Sequence, residues 1–189
     1  MGTTGTKQMT DLEVIQEYLQ TQQASYFNIL YKRYSSKVYS KCISLLKEEA
    51  LARDATQEIF IKIFLNLKKF GGKSKFSTWI YSITYNFCID MIRKRKKLRN
   101  IFSEEIENAP EIIEEVPDEE LLMMEVSRLK VVLEHIPIGD KAVLLMKYQD
   151  DMQIKEIAAT LTKSESAIKM KIKRAKHKAQ RVYKNMYKD

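Results

Sequence analysis

Residues 152–178 read MQIKEIAATLTKSESAIKMKIKRAKHK, and this stretch contains two apolar helical repeats separated by a short polar break. The break is Thr162-Lys163-Ser164; the apolar positions are Ile154, Ile157, Ala158 and Leu161 before it and Ala167, Ile168, Ile172 and Ala175 after it. Two short helices joined by a tight polar turn are typical of a helix-turn-helix. Ser164 is a candidate N-cap for the second helix, because its hydroxyl can accept a hydrogen bond from a free backbone N–H group.

The second of these helices carries many cations on the faces that its apolar residues leave free. They are Lys169, Lys171, Lys173, Arg174, Lys176 and Lys178, and residues 166–188 contain no acidic residue. A solvated lysine face and a membrane-surface helix are alternative interpretations, but the segment lacks the exposed Trp, Phe or Leu wedge of membrane-surface helices. The pattern therefore favours a helix that enters the major groove of duplex DNA.

The charge along the whole chain falls into three blocks. Residues 1–99 carry a net charge of +10, residues 100–127 a net charge of −10 with no basic residue, and residues 128–189 a net charge of +8. Five Gly and three Pro among 189 residues leave few helix breakers, and no segment has the alternation of a strand. We predict an all-α protein of two small helical domains, residues 10–99 and 121–189, joined by an acidic flexible linker at residues 100–120.

The first half contains a segment in which aromatic residues and cations alternate. Residues 76–93 read FSTWIYSITYNFCIDMIR, and six Lys or Arg side chains fall within residues 93–99. Aromatic faces can stack unpaired bases while cations follow phosphates, a combination that suits single-stranded DNA. Helical spacing predicts a core position for Phe76, Ile80, Ile83 and Phe87, and allows one for Trp79, whereas Tyr81, Tyr85 and Asn86 fall on other faces and are the candidates for base contact.

At these segments the chain resembles the bacterial extracytoplasmic-function (ECF) sigma factors. LARDATQEIF at residues 51–60 and STWIYSITYNFCIDMIRKRKK at residues 77–97 resemble the family's second region. IKEIAATL at residues 154–161 and AIKMKIKRAKHK at residues 167–178 resemble its fourth region, with Lys141 where an arginine is usual. Leu51 replaces a usual Asp, and Ser82 and Tyr85 replace usual arginines.

The resemblance implies three surfaces and their partners. Asp54, Gln57, Glu58 and Phe60 would bind core RNA polymerase. The −10 promoter element would be melted and bound as single strands by Trp79, Tyr81, Tyr85, Asn86, Arg93, Lys94, Arg95, Lys96 and Lys97. The −35 duplex would be read by Ser164, Glu165, Ser166, Lys169, Lys171, Lys173, Arg174 and Lys176. An anti-sigma factor is a further partner that the resemblance implies, and the acidic linker would thread the polymerase cleft, where its carboxylates could mimic phosphates or act as a solvated spacer.

Enzyme motifs, metal-ligand spacings and cofactor fingerprints are missing from the sequence. His135 and His177 have no HExxH spacing, and Cys42 and Cys88 have no CxxC partner. We therefore predict no enzyme, cofactor or metal. Without an apolar leader or spanning segment, we expect a cytoplasmic protein with no membrane insertion. The alternative function is a stand-alone helix-turn-helix regulator that binds duplex DNA; a helical scaffold or RNA-binding protein explains the motif less well.

Overall fold

The computed structural model describes residues 9–98, 116–118 and 124–187, with the backbone alone for residues 96–98. The chain divides into two compact units, residues 1–88 and 89–189. All regular elements of the described residues are helical, which confirms the all-α expectation. The predicted domain limits, 10–99 and 121–189, stay a prediction.

The first unit is built from long helices packed around one apolar core. They are α1 (Asp11–Thr21), α2 (Ala24–Leu46), α3 (Glu49–Asn66) with a 3-10 turn (Leu67–Lys69), and α4 (Phe76–Leu98), which crosses the division after Cys88. Thr10 begins α1 with a capping box, in which its hydroxyl accepts from the Glu13 amide and the Glu13 carboxylate accepts from the Thr10 amide. Ala52 and Ala55 are fully buried, so α3 can approach α2 closely and leave its opposite face outside.

The second unit contains the helix-turn-helix. Its described elements include α5 (Val126–Glu134), α6 (Ile138–Leu144) with a π turn (Leu145–Gln149), α7 (Ile154–Leu161) and α8 (Glu165–Met186). Helix α7 ends at Thr162, whose left-handed φ of 53° reverses the chain. Ile168, Ile172 and Ala175 are buried as α8 packs on α5, α6 and α7, as the apolar spacing predicts.

Only residues 116–118 of the predicted linker are described. Val116 is buried, and its carbonyl accepts a hydrogen bond from Lys176 of α8. Eight of the ten acidic residues in residues 100–127 lie outside the described residues, and the other two are Asp118 and Glu125. The phosphate-mimic hypothesis concerns the carboxylates at residues 104–125, so most of it falls outside the described residues.

Candidate functional site

The first turns of α8 present an exposed polar surface. The Ser164 hydroxyl accepts from the Ala167 amide at 3.2 Å and so caps the helix as predicted. The side chains of Glu165, Ser166 and Lys169 are exposed next to this cap, and Lys173 and Arg174 are partly exposed. At about 100° per residue, Ser166, Lys169 and Lys173 fall on one face. Met170, which sequence reasoning missed, adjoins this face and is 45% exposed.

Lys176 corrects the set predicted to contact the −35 duplex. Its residue is 7% exposed, and its Nζ donates to the Val116 carbonyl at 2.5 Å and to Asp118 Oδ1 at 2.6 Å. Lys176 lies seven residues after Lys169 on almost the same face, but residues 116–118 cover the helix there. Both hydrogen-bond acceptors of Lys176 belong to the protein itself. Lys176 therefore binds the chain segment before α5 and does not face a DNA phosphate.

Asp118 itself is fixed by two donors. Besides Lys176, the Tyr148 hydroxyl donates to Asp118 Oδ1 at 2.7 Å. The hydrogen bonds from Lys176 and then from Tyr148 lower the pKa of Asp118, and burial followed by the bond to Asp118 raises the pKa of Tyr148. The carboxylate therefore stays charged at neutral pH, which keeps residues 116–118 on the second unit.

A buried carboxylate on α6 binds two further lysines of α8. The Asp140 side chain is 6% exposed, and its two oxygens lie 3.3 Å from Lys171 Nζ and 2.6 Å from Lys178 Nζ. Lys171 was predicted to contact DNA, yet it is half-buried and its ammonium faces Asp140. A Cβ on the neighbouring Gly139 would lie 3.4 Å from Lys171 Nζ, so glycine keeps the space for this ion pair. The pair fixes the rotation of α8 about its own axis.

Replacing Asp140 with asparagine should destabilise the second unit. The change leaves Lys171 and Lys178 without their shared counter-charge, and because both lysines are about one-third exposed we expect a loss of about 1–3 kcal/mol in the free energy of unfolding. Urea denaturation followed by circular dichroism measures it. Asp151→Asn is the matched control: it removes the same charge from an exposed residue whose left-handed φ of 52° asparagine tolerates. Equal stability of the two variants would contradict the structural role of Asp140.

The aromatic face of α4 is only partly open. Trp79 is half-buried, stacked on Phe76 with ring centroids 5.7 Å apart and tilted on Phe70 at 5.5 Å. Tyr81 is also half-buried, and Lys41 Nζ lies 4.2 Å from its ring centroid. Asn86 is exposed, as a base-contacting residue needs to be.

Tyr85 corrects the prediction for the −10 surface. It is fully buried and is the largest fully buried side chain of the described residues. Its ring lies below Lys41, whose Nζ is 5.8 Å from the ring centroid, so Tyr85 is part of the core between α2 and α4. The predicted core residues Ile83 and Phe87 are instead partly exposed. Spacing alone placed these three residues on the wrong sides of α4.

The basic end of α4 continues this surface. Arg93 and Lys94 are exposed and Arg95 is partly exposed, whereas the side chains of Lys96 and Lys97 lie outside the described residues. Arg93 lies 3.7 Å from Asp90, an exposed contact that water screens. The exposed cations therefore remain available to an anionic ligand.

Helix α3 presents a mixed polar and apolar face. The predicted residues Asp54, Gln57 and Glu58 are exposed on it, and so are Ile61 and Leu65, which are 57% and 69% exposed. All five fall within an arc of about 100° of the helix. Sequence reasoning missed Ile61 and Leu65 because their spacing does not separate them from the core positions Ile59 and Ile63. Large apolar side chains this exposed are typical of a protein-binding surface.

Phe60 is a further correction on α3. It is 5% exposed, and its ring meets that of Tyr31 at a centroid distance of 4.7 Å in an edge-to-face arrangement. Phe60 therefore belongs to the packing between α2 and α3 and does not contact a partner directly. The Phe60 side chain packs on the buried side of α3, opposite the exposed face of that helix.

Among the described residues, no three His, Cys, Asp or Glu side chains come together in a way that could hold a metal ion. None of the described helices is both long and apolar enough to cross a membrane.

Two family models match the chain in order. The model of Sigma-70 region 2 matches residues 30–98, and that of Sigma-70, region 4 matches residues 127–178. The first therefore covers α3 and α4, and the second covers the helix-turn-helix.

The chain is also similar to curated relatives and to solved structures. The ECF RNA polymerase sigma factor SigW of Bacillus subtilis is 28% identical over 151 residues, which cover 76% of this chain and 81% of the relative. SigM of the same organism is 25% identical, covering 82% and 93%. Similar folds occur in the sigma factor RpoE of Bartonella quintana in complex with the anti-sigma factor NepR (TM-score 0.61, 18% identity, 84% and 96% covered) and in CnrH in complex with the cytosolic domain of CnrY (TM-score 0.64, 20% identity, 94% and 99% covered).

Proposed function

Because the chain belongs to the extracytoplasmic-function sigma factors of the sigma-70 family, we propose that it divides promoter recognition among three of its helices. Helix α3 docks on core RNA polymerase, α4 melts and holds the −10 element, and the start of α8 reads the −35 duplex. The observation that carries this proposal is the order of the two regions on one chain, each with an exposed helical face of suitable chemistry.

The face of α3 suits a protein partner better than a nucleic acid. Asp54 and Glu58 are anionic and would repel phosphates, while Ile61 and Leu65 offer apolar area that gains free energy when a partner covers it. Gln57 adds a hydrogen-bonding group among them. Polar contacts around an apolar centre are the usual composition of a protein interface.

The exposed parts of α4 suit opened DNA. Asn86 can hydrogen-bond a base edge, the accessible edges of Trp79 and Tyr81 can stack on bases, and Arg93 and Lys94 can follow the backbone. Tyr85 is left out of this set because it is buried. The base-contacting surface is then smaller than the one predicted from sequence and centres on Tyr81 and Asn86.

The start of α8 suits the major groove. Side chains in the first turns of a recognition helix reach base edges, and Glu165, Ser166 and Lys169 hold those positions here. Lys173 and Arg174 are near enough to the same face to contact phosphates. Lys171, Lys176 and Lys178 serve the fold of the second unit through Asp140 and Asp118.

Further parts of the proposal rest on the family and its relatives. In two of the similar solved structures, RpoE is bound to the anti-sigma factor NepR and CnrH is bound to the cytosolic domain of CnrY. We infer that this chain also has an anti-sigma factor. Residues 100–120 serve as the acidic linker between domains at 10–99 and 121–189. The protein works in the cytoplasm beside RNA polymerase and has no enzymatic activity of its own.

Promoter binding with and without core RNA polymerase tests this function. Labelled promoter duplex is titrated with the protein alone and with the protein bound to core enzyme, and the electrophoretic shifts are compared. We expect tight, promoter-specific binding only with core enzyme present. Tight binding of the protein alone, unchanged by core enzyme, would instead identify a stand-alone helix-turn-helix regulator, a function that leaves the region 2 match unexplained.

A further inference from the structure

The two cysteines of the chain meet in the core of the first unit. Cys42 on α2 and Cys88 on α4 are 46 residues apart, and their sulfur atoms are 3.8 Å from each other. Both are fully buried free thiols. Sequence spacing does not predict this contact, because neither cysteine has another cysteine nearby in the chain.

We propose that Cys42 and Cys88 are a redox modification site that closes to an intramolecular disulfide when a small hydroperoxide oxidises the protein. The sulfurs must approach by a further ~1.7 Å to reach the ~2.05 Å of an S–S bond. Rotation about χ1 on the two side chains, with a small shift of the helices, provides this movement. No other thiol exists in the chain, so the pair has no competing internal partner.

The two thiols are hydrogen-bonded to each other, which couples their ionisation. Cys88 donates its S–H to Cys42 Sγ, and this bond lowers the pKa of Cys42 and, with burial, raises the pKa of Cys88. Either thiol can therefore react with the peroxide, and its neighbour at 3.8 Å is the resolving thiol.

The reaction balances in two steps. The thiolate form of one cysteine takes one oxygen atom from hydrogen peroxide, giving a sulfenic acid and hydroxide, which a proton converts to water. The sulfur of the other cysteine then attacks the sulfenic-acid sulfur and the S–O bond breaks. The departing hydroxide takes the proton of the attacking thiol and leaves as a second water. Two thiols are oxidised and one peroxide is reduced. Since both thiols are buried, the peroxide enters when α2 and α4 open locally.

The new bond lies directly beneath the proposed −10 surface. Lys41, the residue before Cys42, lies over the rings of Tyr81 and Tyr85, and Tyr85 precedes Cys88 by less than one turn of α4. Drawing the two sulfurs together moves Lys41 against Tyr81. We therefore infer that oxidation weakens opening of the −10 element; this consequence rests on the proposed function, whereas the disulfide itself does not.

Intact-mass spectrometry of the full chain tests the modification. After treatment with hydrogen peroxide and removal of the excess, we expect a loss of about 2 Da that dithiothreitol reverses, and a proteolytic peptide pair joining Cys42 to Cys88. Peptide mapping separates this from oxidation of the nine methionines. The cross-link should raise the melting temperature by at least ~5 °C. Cys42→Ala and Cys88→Ala serve as controls that cannot close the bond.

Three results would contradict the proposed disulfide between Cys42 and Cys88. Sulfinic or sulfonic acids on the cysteines, disulfide-linked dimers, or thiols unchanged at peroxide levels that oxidise exposed methionines all contradict it. If an alanine variant fails to fold, the double variant Cys42→Val/Cys88→Ala serves as the control in its place. The larger valine compensates for the volume that alanine removes from the core.

Promoter opening by the same protein tests the consequence. Reduced and oxidised samples are compared with core RNA polymerase on a promoter that carries 2-aminopurine in its −10 element. We expect at least a ~3-fold lower opening rate after oxidation, restored by dithiothreitol and absent in Cys88→Ala. Equal rates in the two redox states contradict the consequence, and an inactive reduced protein contradicts the proposed function instead.

Discussion

Replacing Ile61 and Leu65 together with glutamate should abolish binding to core RNA polymerase. The two side chains are the apolar centre of the exposed α3 face, and the new carboxylates would lose their hydration when a partner covers them. We expect the Kd for core enzyme to rise at least ~100-fold, since two central interface residues worth about 2 kcal/mol each are lost. Fluorescence anisotropy with labelled protein and purified core enzyme measures this change.

The fold should survive the replacement, because both side chains point outward and surface changes of this kind alter stability by about 0.5 kcal/mol or less. Leu12→Glu is the matched control: Leu12 is 51% exposed on α1, so the variant introduces the same charge at another apolar surface position. The control should bind core enzyme as the unchanged protein does. Full binding by the double variant, at an unchanged melting temperature, would mean that α3 is not the docking helix.

Reversing the charge of Lys169 should remove −35 recognition while leaving core binding intact. Lys169 is exposed one turn into α8, at a position that reaches base edges or phosphates in a helix-turn-helix, and Lys169→Glu replaces an attraction by a repulsion. We expect transcription from a promoter that depends on its −35 element to fall about 10–100-fold. Run-off transcription at a fixed salt concentration, with core binding measured in parallel, separates the two effects.

Lys184→Glu provides the same charge reversal further along the same helix. Lys184 is exposed and lies about 22 Å from Lys169 along the axis of α8. If the first turns of α8 enter the major groove, Lys184 is too far away to contact the same groove. The control should keep most of the activity. An equal loss in both variants would indicate that the net charge of α8, and not the contacts of its first turns, determines binding.

Sequence periodicity predicted the helices well because apolar spacing fixes which elements can bury a face. The apolar repeats on either side of Thr162-Lys163-Ser164 form α7 and α8, and Ser164 caps α8 as its residue type indicated. The ordered motifs also identified the family. These features depend on local sequence and on residue types, which a single chain displays directly.

The individual site residues were harder to predict because their exposure depends on distant segments. Lys176 has the spacing of a groove-facing cation, and only the packing of residues 116–118, about 60 positions earlier, shows that it is buried. Tyr85 has the composition of a base-stacking residue, but α2 covers it. The contact between Cys42 and Cys88 has the same origin, since helical spacing says nothing about which neighbouring helix a side chain meets.

In vitro transcription from a promoter library tests the central claim most directly. Core RNA polymerase is incubated with the library with and without the protein, and the 5′ ends of the transcripts are mapped. We predict transcripts that begin at defined positions, share common −35 and −10 elements upstream, and depend on the protein. A pattern of start sites identical to that of core enzyme alone, together with tight autonomous binding to duplex DNA, would contradict its function as a sigma factor.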